Sequence, residues 1–210
     1  MKQHFRGGLV GLAGVVTLLL VACGSAATAV PTPTTPKADS SPAPTLAPTP
    51  EPSGETATVN LRTDFSIEAY QGEDVLGGKN SRFSSLFGRG QPVVLNFFAG
   101  LCPPCRAEMP DLQSVSVQYQ GRVTLFGLDI GPFVGLGSRQ DGKALVQELG
   151  VTYPTGSTSD SKVVREYRVL GMPTTVFLTP DGMVFKTWTG ILTRGKMVEL
   201  FEQLLEASGA

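Results

Sequence analysis

The sequence predicts an α/β domain built on a central mixed sheet flanked by helices, and two arrangements of residues predict it. The first is an apolar run, Val93 to Phe98, then a helical segment, then a second apolar run, Val123 to Asp129; this is a βαβ unit with buried parallel strands. The second is a strand at Thr174 to Leu178, a tight turn at Pro180-Asp181-Gly182 and a strand at Met183 to Thr189, which together make an antiparallel hairpin. A closing helix follows, with Met197, Leu200, Phe201, Leu204 and Leu205 at helical spacing and Thr193 as its N-cap.

The chain opens on Lys2 and Arg6 and then runs without charge from Gly7 to Ala22, the three-part form of a secretory signal over residues 1–22. It ends in Leu20-Val21-Ala22-Cys23, which resembles the lipobox of bacterial lipoproteins, so Cys23 is expected to be lipidated and to anchor the chain to a membrane. An uncleaved membrane helix continuing to about Val30 is the alternative. In both cases the two basic residues hold the start inside and the rest faces the extracytoplasmic space or periplasm.

Residues 23–58 are rich in Pro, Thr and Ala, with eight prolines between Pro31 and Pro52, and cannot bury enough apolar surface to fold. A Pro-rich tether of this kind is extended and semi-rigid, with a reach of roughly 30 to 100 Å. The folded domain is expected over residues 59–210, long enough for one core. With the leader removed, 15 basic residues face 18 acidic ones; no basic patch argues for a nucleic-acid partner.

Chemistry concentrates at Cys102-Pro103-Pro104-Cys105, which follows the first strand and opens a helix expected from Arg106 to about Tyr119. The CxxC spacing puts both sulfurs on the first helical turn, where free N–H groups and the positive dipole end favour a thiolate. Cys102 is then the exposed nucleophile, and Cys105 resolves the mixed disulfide from within. The chain has three cysteines and one histidine, His4 in the leader, so no zinc or other metal site is expected and no Cys-His or Ser-His-Asp catalysis. No cofactor is implied beyond the Cys102–Cys105 disulfide itself.

Further along, Lys143 to Leu149 and Ser161 to Tyr167 read as helices, and Gly131 to Ser138 as a connecting loop. Arg106 reads as surface charge, Pro110 as a kink in its helix, and Trp188 as packing on the last strand.

The ordered set of CPPCRAEMP, then Gly171-Met172-Pro173-Thr174-Thr175, then Pro180-Asp181-Gly182 resembles the TlpA/ResA-like group of thiol-disulfide oxidoreductases. These have a thioredoxin-like fold with an N-terminal extension and belong to the wider AhpC/TSA-redoxin superfamily. The likeness runs from Asp64-Phe65 to the last helix. It implies a membrane-anchored enzyme that reduces disulfides of secreted or membrane proteins, apocytochrome c among them, and is recharged by a membrane thiol donor.

The resemblance also implies site roles. Pro173 matches the family's cis-proline, which bends its loop toward the CxxC and leaves the Met172 backbone to pair with a substrate strand, while Thr174 helps hold the loop. Glu108 matches a glutamate that tunes the cysteines. Two departures stand out: Leu101 replaces the usual tryptophan before the first cysteine, and Asn96 occupies the strand position where thioredoxin has a buried aspartate. Two other functions compete: a thiol peroxidase of the AhpC/TSA type, against which CPPC argues, and a redox-inert binding lipoprotein whose CxxC is a structural staple.

Overall fold

The computed structural model describes residues 63–209. The expected signal at 1–22, Cys23, the tether to residue 58, and residues 59–62 and 210 of the expected domain lie outside the described residues.

Among the described residues, seven strands form one sheet: β1 (Ser66–Gln71), β2 (Asn80–Arg82), β3 (Val93–Phe98), β4 (Thr124–Asp129), β5 (Thr155–Ser157), β6 (Thr174–Leu178) and β7 (Val184–Thr189). Their order is β2-β1-β5-β4-β3-β6-β7. β3 pairs with β4 and β4 with β5 in parallel, and every other pair is antiparallel, so the sheet is mixed as the sequence predicts.

The helices are α1 (Glu73–Leu76), α2 (Pro103–Gln118), α3 (Gly131–Val134), α4 (Arg139–Glu148), α5 (Lys162–Glu166) and α6 (Arg194–Ala207), with a 3-10 turn at Phe83–Leu86. α2 starts three residues before the expected Arg106, because Cys102 itself is the N-cap and Pro103 fits the first helical position without losing a bonded N–H. It contains Pro110 and continues to Gln118. α4 begins four residues earlier than expected, set by a capping box between Ser138 and Asp141. Thr193 caps α6 as expected, its hydroxyl accepting from the Lys196 N–H.

Every residue of β3 is buried, and strand alternation sends its side chains into two cores. Val94 and Phe98 face α2 and α6, where Met109, Leu112, Tyr119, Leu200 and Phe201 pack. Val93, Leu95 and Phe97 face the other way, against Phe65, Phe83, Val163 and Tyr167. Asn96 lies between Val94 and Phe98 in register of two, so its amide points under α2.

The first hairpin, β1 and β2, adds to the β5 edge; it is the extension that the resemblance implies and that periodicity did not mark. Asp64 ties it down, accepting hydrogen bonds from Arg82 Nε at 2.6 Å and from the Ser84 N–H at 2.9 Å. At the other edge, the β6–β7 turn closes through Gly182 N–H to Thr179 O at 2.8 Å, with Gly182 at a left-handed φ of 84°.

Candidate active site

Cys102 and Cys105 are joined as a disulfide, with S–S 2.05 Å and Cα–Cα 5.3 Å. Both sit on the first turn of α2, where the Cys105 N–H points at Cys102 Sγ at 3.2 Å. Pro103 and Pro104 have no N–H, so the Cys105 N–H is the first-turn donor that can reach Cys102, and the same geometry favours a thiolate there once the bond is opened.

The expected exposure of Cys102 needs correction: its residue is only 2% exposed, and Cys105 is fully buried. The Gly131 to Ser138 segment, expected to be a loop, contributes to these surroundings. It forms α3, and beyond it the Leu136 carbonyl accepts from the Leu101 N–H at 2.9 Å, next to Cys102 in the chain. Cys102 is therefore one wall of a cleft that Leu136 and Met172 also line. Leu101, in the place of the expected tryptophan, is turned outward and 61% exposed.

The Met172–Pro173 peptide bond is cis. Thr174 Oγ1 donates to Gly171 O at 2.7 Å and the Pro173 carbonyl accepts from Gly190 N–H at 2.8 Å, so both sides of the cis bond are held. Met172 reaches the cleft from this loop.

Glu108 lies one turn past Cys105 on the buried face of α2 and is 1% exposed. Its two oxygens are both hydrogen-bonded: Oε1 accepts from Asn96 Nδ2 at 3.0 Å and Oε2 from the Leu192 N–H at 2.8 Å. Burial pushes its pKa up to about 7, against the pull of these two donors, and Asp111 adds a smaller push. Asn96 Nδ2 also donates to Thr175 Oγ1 at 3.0 Å, and the two residues stand opposite each other in the β3–β6 ladder. Asn96 Oδ1 is buried without a partner among the described residues, as is the hydroxyl of Tyr153, whose pKa is raised by burial and then by the Glu108 charge. Tyr153, Thr175 and Leu192 are the members of this set that residue types alone did not mark; Leu192 contributes only a backbone N–H, which leaves no trace in a sequence.

A second buried carboxylate, Asp129, ends β4. It accepts from Tyr70 Oη at 2.8 Å and from the Gly131 N–H at 2.9 Å, and burial raises its pKa. It anchors the start of the segment that carries Leu136 to the cleft. Arg106 is exposed and ion-paired with Glu148, and Trp188 packs from β7 against the α2–α6 core, both as expected. Among the described residues no group of His, Cys, Asp or Glu side chains could hold a metal ion.

The family model for AhpC/TSA matches residues 62–187. The chain belongs to the AhpC/TSA family. It is 31% identical over 134 residues to the thiol-disulfide oxidoreductase ResA of Oceanobacillus iheyensis, a match covering 64% of this chain and 66% of that one, so the chain spans about two thirds of that relative. It is 25% identical over 143 residues to sporulation thiol-disulfide oxidoreductase A of Bacillus subtilis, covering 66% and 78%. The structure of an exposed lipoprotein thioredoxin from Streptococcus pneumoniae superposes with a TM-score of 0.57 at 22% identity, covering 67% of this chain and 99% of that one. The fold is thus thioredoxin-like, and this AhpC/TSA member is an enzyme of the thiol-disulfide oxidoreductase class. Among the described residues, no helix is long and apolar enough to cross a membrane.

Proposed function

We propose that the protein is a lipid-anchored extracytoplasmic enzyme that reduces disulfides of secreted or membrane proteins, with Cys102 as attacking thiol and Cys105 as resolving thiol. The observation that carries this reading is the Cys102–Cys105 pair at the head of α2, opening into a cleft shared with Met172.

In the reduced protein, the Cys102 thiolate attacks one sulfur of a substrate disulfide. That bond breaks, a mixed disulfide forms, and the second substrate sulfur leaves as a thiolate that takes up a proton. Cys105 then loses its proton and attacks Cys102 Sγ. The mixed disulfide breaks, the remaining substrate sulfur is protonated, and the Cys102–Cys105 disulfide closes, two electrons having passed to the substrate. Glu108, whose proton affinity lies near neutrality, is suited to accept and return the Cys105 proton. Met172 and Pro173 offer backbone to the substrate strand, and Thr174 fixes their loop.

The pair is itself the redox group, so the reaction calls for no further cofactor. An oxidising compartment would leave it as a disulfide, and a membrane dithiol donor is therefore needed to return it to the dithiol. Anchoring through Cys23 is supported by the signal-like form of residues 1–22 and by the small residues before that cysteine. Apocytochrome c is a substrate that the TlpA/ResA resemblance suggests. A peroxidase would draw on a resolving cysteine far from the peroxidatic one, and both described cysteines lie in one CxxC.

The test is the reduction potential of the full chain equilibrated against thiol buffers. A value near roughly -250 mV, at the thioredoxin end, supports a reductant; one near roughly -120 mV makes it an oxidant and overturns the direction. Cys105→Ser should trap a substrate on Cys102 as a mixed disulfide, detected by mass; a trap on neither cysteine in Cys105→Ser and Cys102→Ser would point to the redox-inert alternative.

A further inference from the structure

The cleft at Cys102 does not end at the disulfide. Val169 and Leu170, which line it beside Met172, also line a second depression that continues along α5. The two halves differ in chemistry. Near the disulfide the walls are apolar side chains, Leu136, Val169, Leu170 and Met172, with no charged group among them. At the far end Arg165 and Arg168 stand beside Val164 and Phe133.

Two details give this groove a direction. Leu170, at the junction, is 89% exposed, the most exposed large apolar side chain among the described residues. A single exposed leucine is ordinary on a protein surface, but one placed at the junction of two depressions that lead to a reactive disulfide offers area that a partner can bury. Arg165 is ion-paired with its neighbour Glu166, whereas Arg168 is exposed and has no carboxylate partner among the described residues. Arg168 also holds a left-handed φ of 53° as a non-glycine residue. The far end of the groove therefore carries an uncompensated positive charge.

We propose that this groove binds an extended segment of the substrate protein, with a bulky apolar residue beside the disulfide cysteine and an acidic residue a few positions away that meets Arg168. This rests on the disulfide-reductase reading and adds the substrate class to it. The occupant is a substrate segment because the groove is continuous with the sulfur that a substrate must reach, and because its charge at one end and apolar walls at the other match such a segment. The apolar part supplies affinity by burial, and the arginine supplies selection and rate, as charges at the rim of an interface do.

The experiment uses the full chain, reduced, with three peptides that differ at three positions and each carry a glutathione mixed disulfide on one cysteine. The first has leucine beside the cysteine and glutamate four residues away on both sides, the second has lysine for the glutamates, and the third has serine for the leucine. Hydroxyethyl disulfide serves as a small substrate with no segment to bind. The glutamate peptide should react about tenfold faster than the lysine peptide at low salt, with the gap closing in high salt, and the serine peptide should be slower at all salt concentrations. Arg168→Glu should invert the glutamate-over-lysine preference. Equal rates for all three peptides, with hydroxyethyl disulfide still reduced, would overturn the groove and leave the reductase standing. A dimer that Arg168→Glu dissociates without changing peptide preference would make the groove a self-interface and overturn the proposal as well. No reaction with hydroxyethyl disulfide would overturn the reductase reading itself and the groove with it.

Discussion

Asn96 on β3 gives one amide hydrogen to Glu108 on α2 and the other to Thr175 on β6, each at 3.0 Å. Because Asn96 and Thr175 are directly paired across the ladder, the donor aimed at Glu108 is held by the sheet and not by α2. The buried carboxylate one turn past Cys105 thus has its proton affinity set by two opposed effects: burial, which raises it, and fixed N–H donors, which lower it.

The raised pKa of Glu108 makes stability depend on pH in a definite direction. Between its usual value of 4.5 and about 7, the unfolded chain has released this proton while the folded protein keeps it. Stability is therefore full below that window and falls as pH rises through it, by on the order of 3 kcal/mol. Urea denaturation of the oxidised protein from pH 4 to 8 should show the decline. Glu108→Gln should remove most of it, leaving the smaller contribution of Asp129, which has the same sign.

Removing the Asn96 donor should move the Glu108 titration. A hydrogen bond to a charged group contributes about 1.5 to 3 kcal/mol, so Asn96→Leu should raise the Glu108 midpoint by about one to two pH units. Carboxyl-carbon NMR of labelled glutamate reads this directly. An unchanged midpoint in a folded variant would mean that Asn96 only fills space.

Gly100 precedes Leu101 and Cys102, and a Cβ there would fall 2.3 Å from the Asp141 carbonyl carbon and 2.5 Å from the Gly142 nitrogen. Backbone at that distance cannot yield as a side chain end can. Gly100→Ala should destabilise by about 1 to 3 kcal/mol or more and slow disulfide exchange by shifting the turn before Cys102. Denaturation and exchange with a small disulfide test the two effects separately.

Asp129 holds the Gly131 N–H, and the segment beginning there brings Leu136 to accept from the Leu101 N–H. Asp129→Ala should cost about 2 kcal/mol and speed hydrogen exchange at the Leu101 amide well beyond the global change in stability. Equal protection relative to global stability would separate the two ends of that segment.

The legible part of this protein was local. The apolar run at β3, the alternation that places Asn96 on the same face as Val94, the PDG turn and the spacing of α6 follow from neighbours in the chain, and the order of CPPC and GMPTT was enough to indicate the fold. The short strands β1, β2 and β5 leave little trace in the sequence, because runs of three to six residues without a continuous apolar stretch show little periodicity. Helix starts shifted where a cap decided them, as Cys102 and Ser138 do for α2 and α4.

What the sequence determined by itself is the inventory: two thiols one helical turn apart, a glutamate one turn further on, and a proline before the last hairpin. Only the tertiary structure decided their environment. It set Cys102 in a cleft lined by Leu136, Val169, Leu170 and Met172, so that an expected exposed thiol is buried in its wall. It brought Asn96, Thr175 and the Leu192 N–H around Glu108 from β3, β6 and the stretch before α6, up to 84 residues away. Burial and hydrogen bonding depend on what the rest of the chain packs against a group, and a proton affinity is set by those surroundings more than by the residue that carries it.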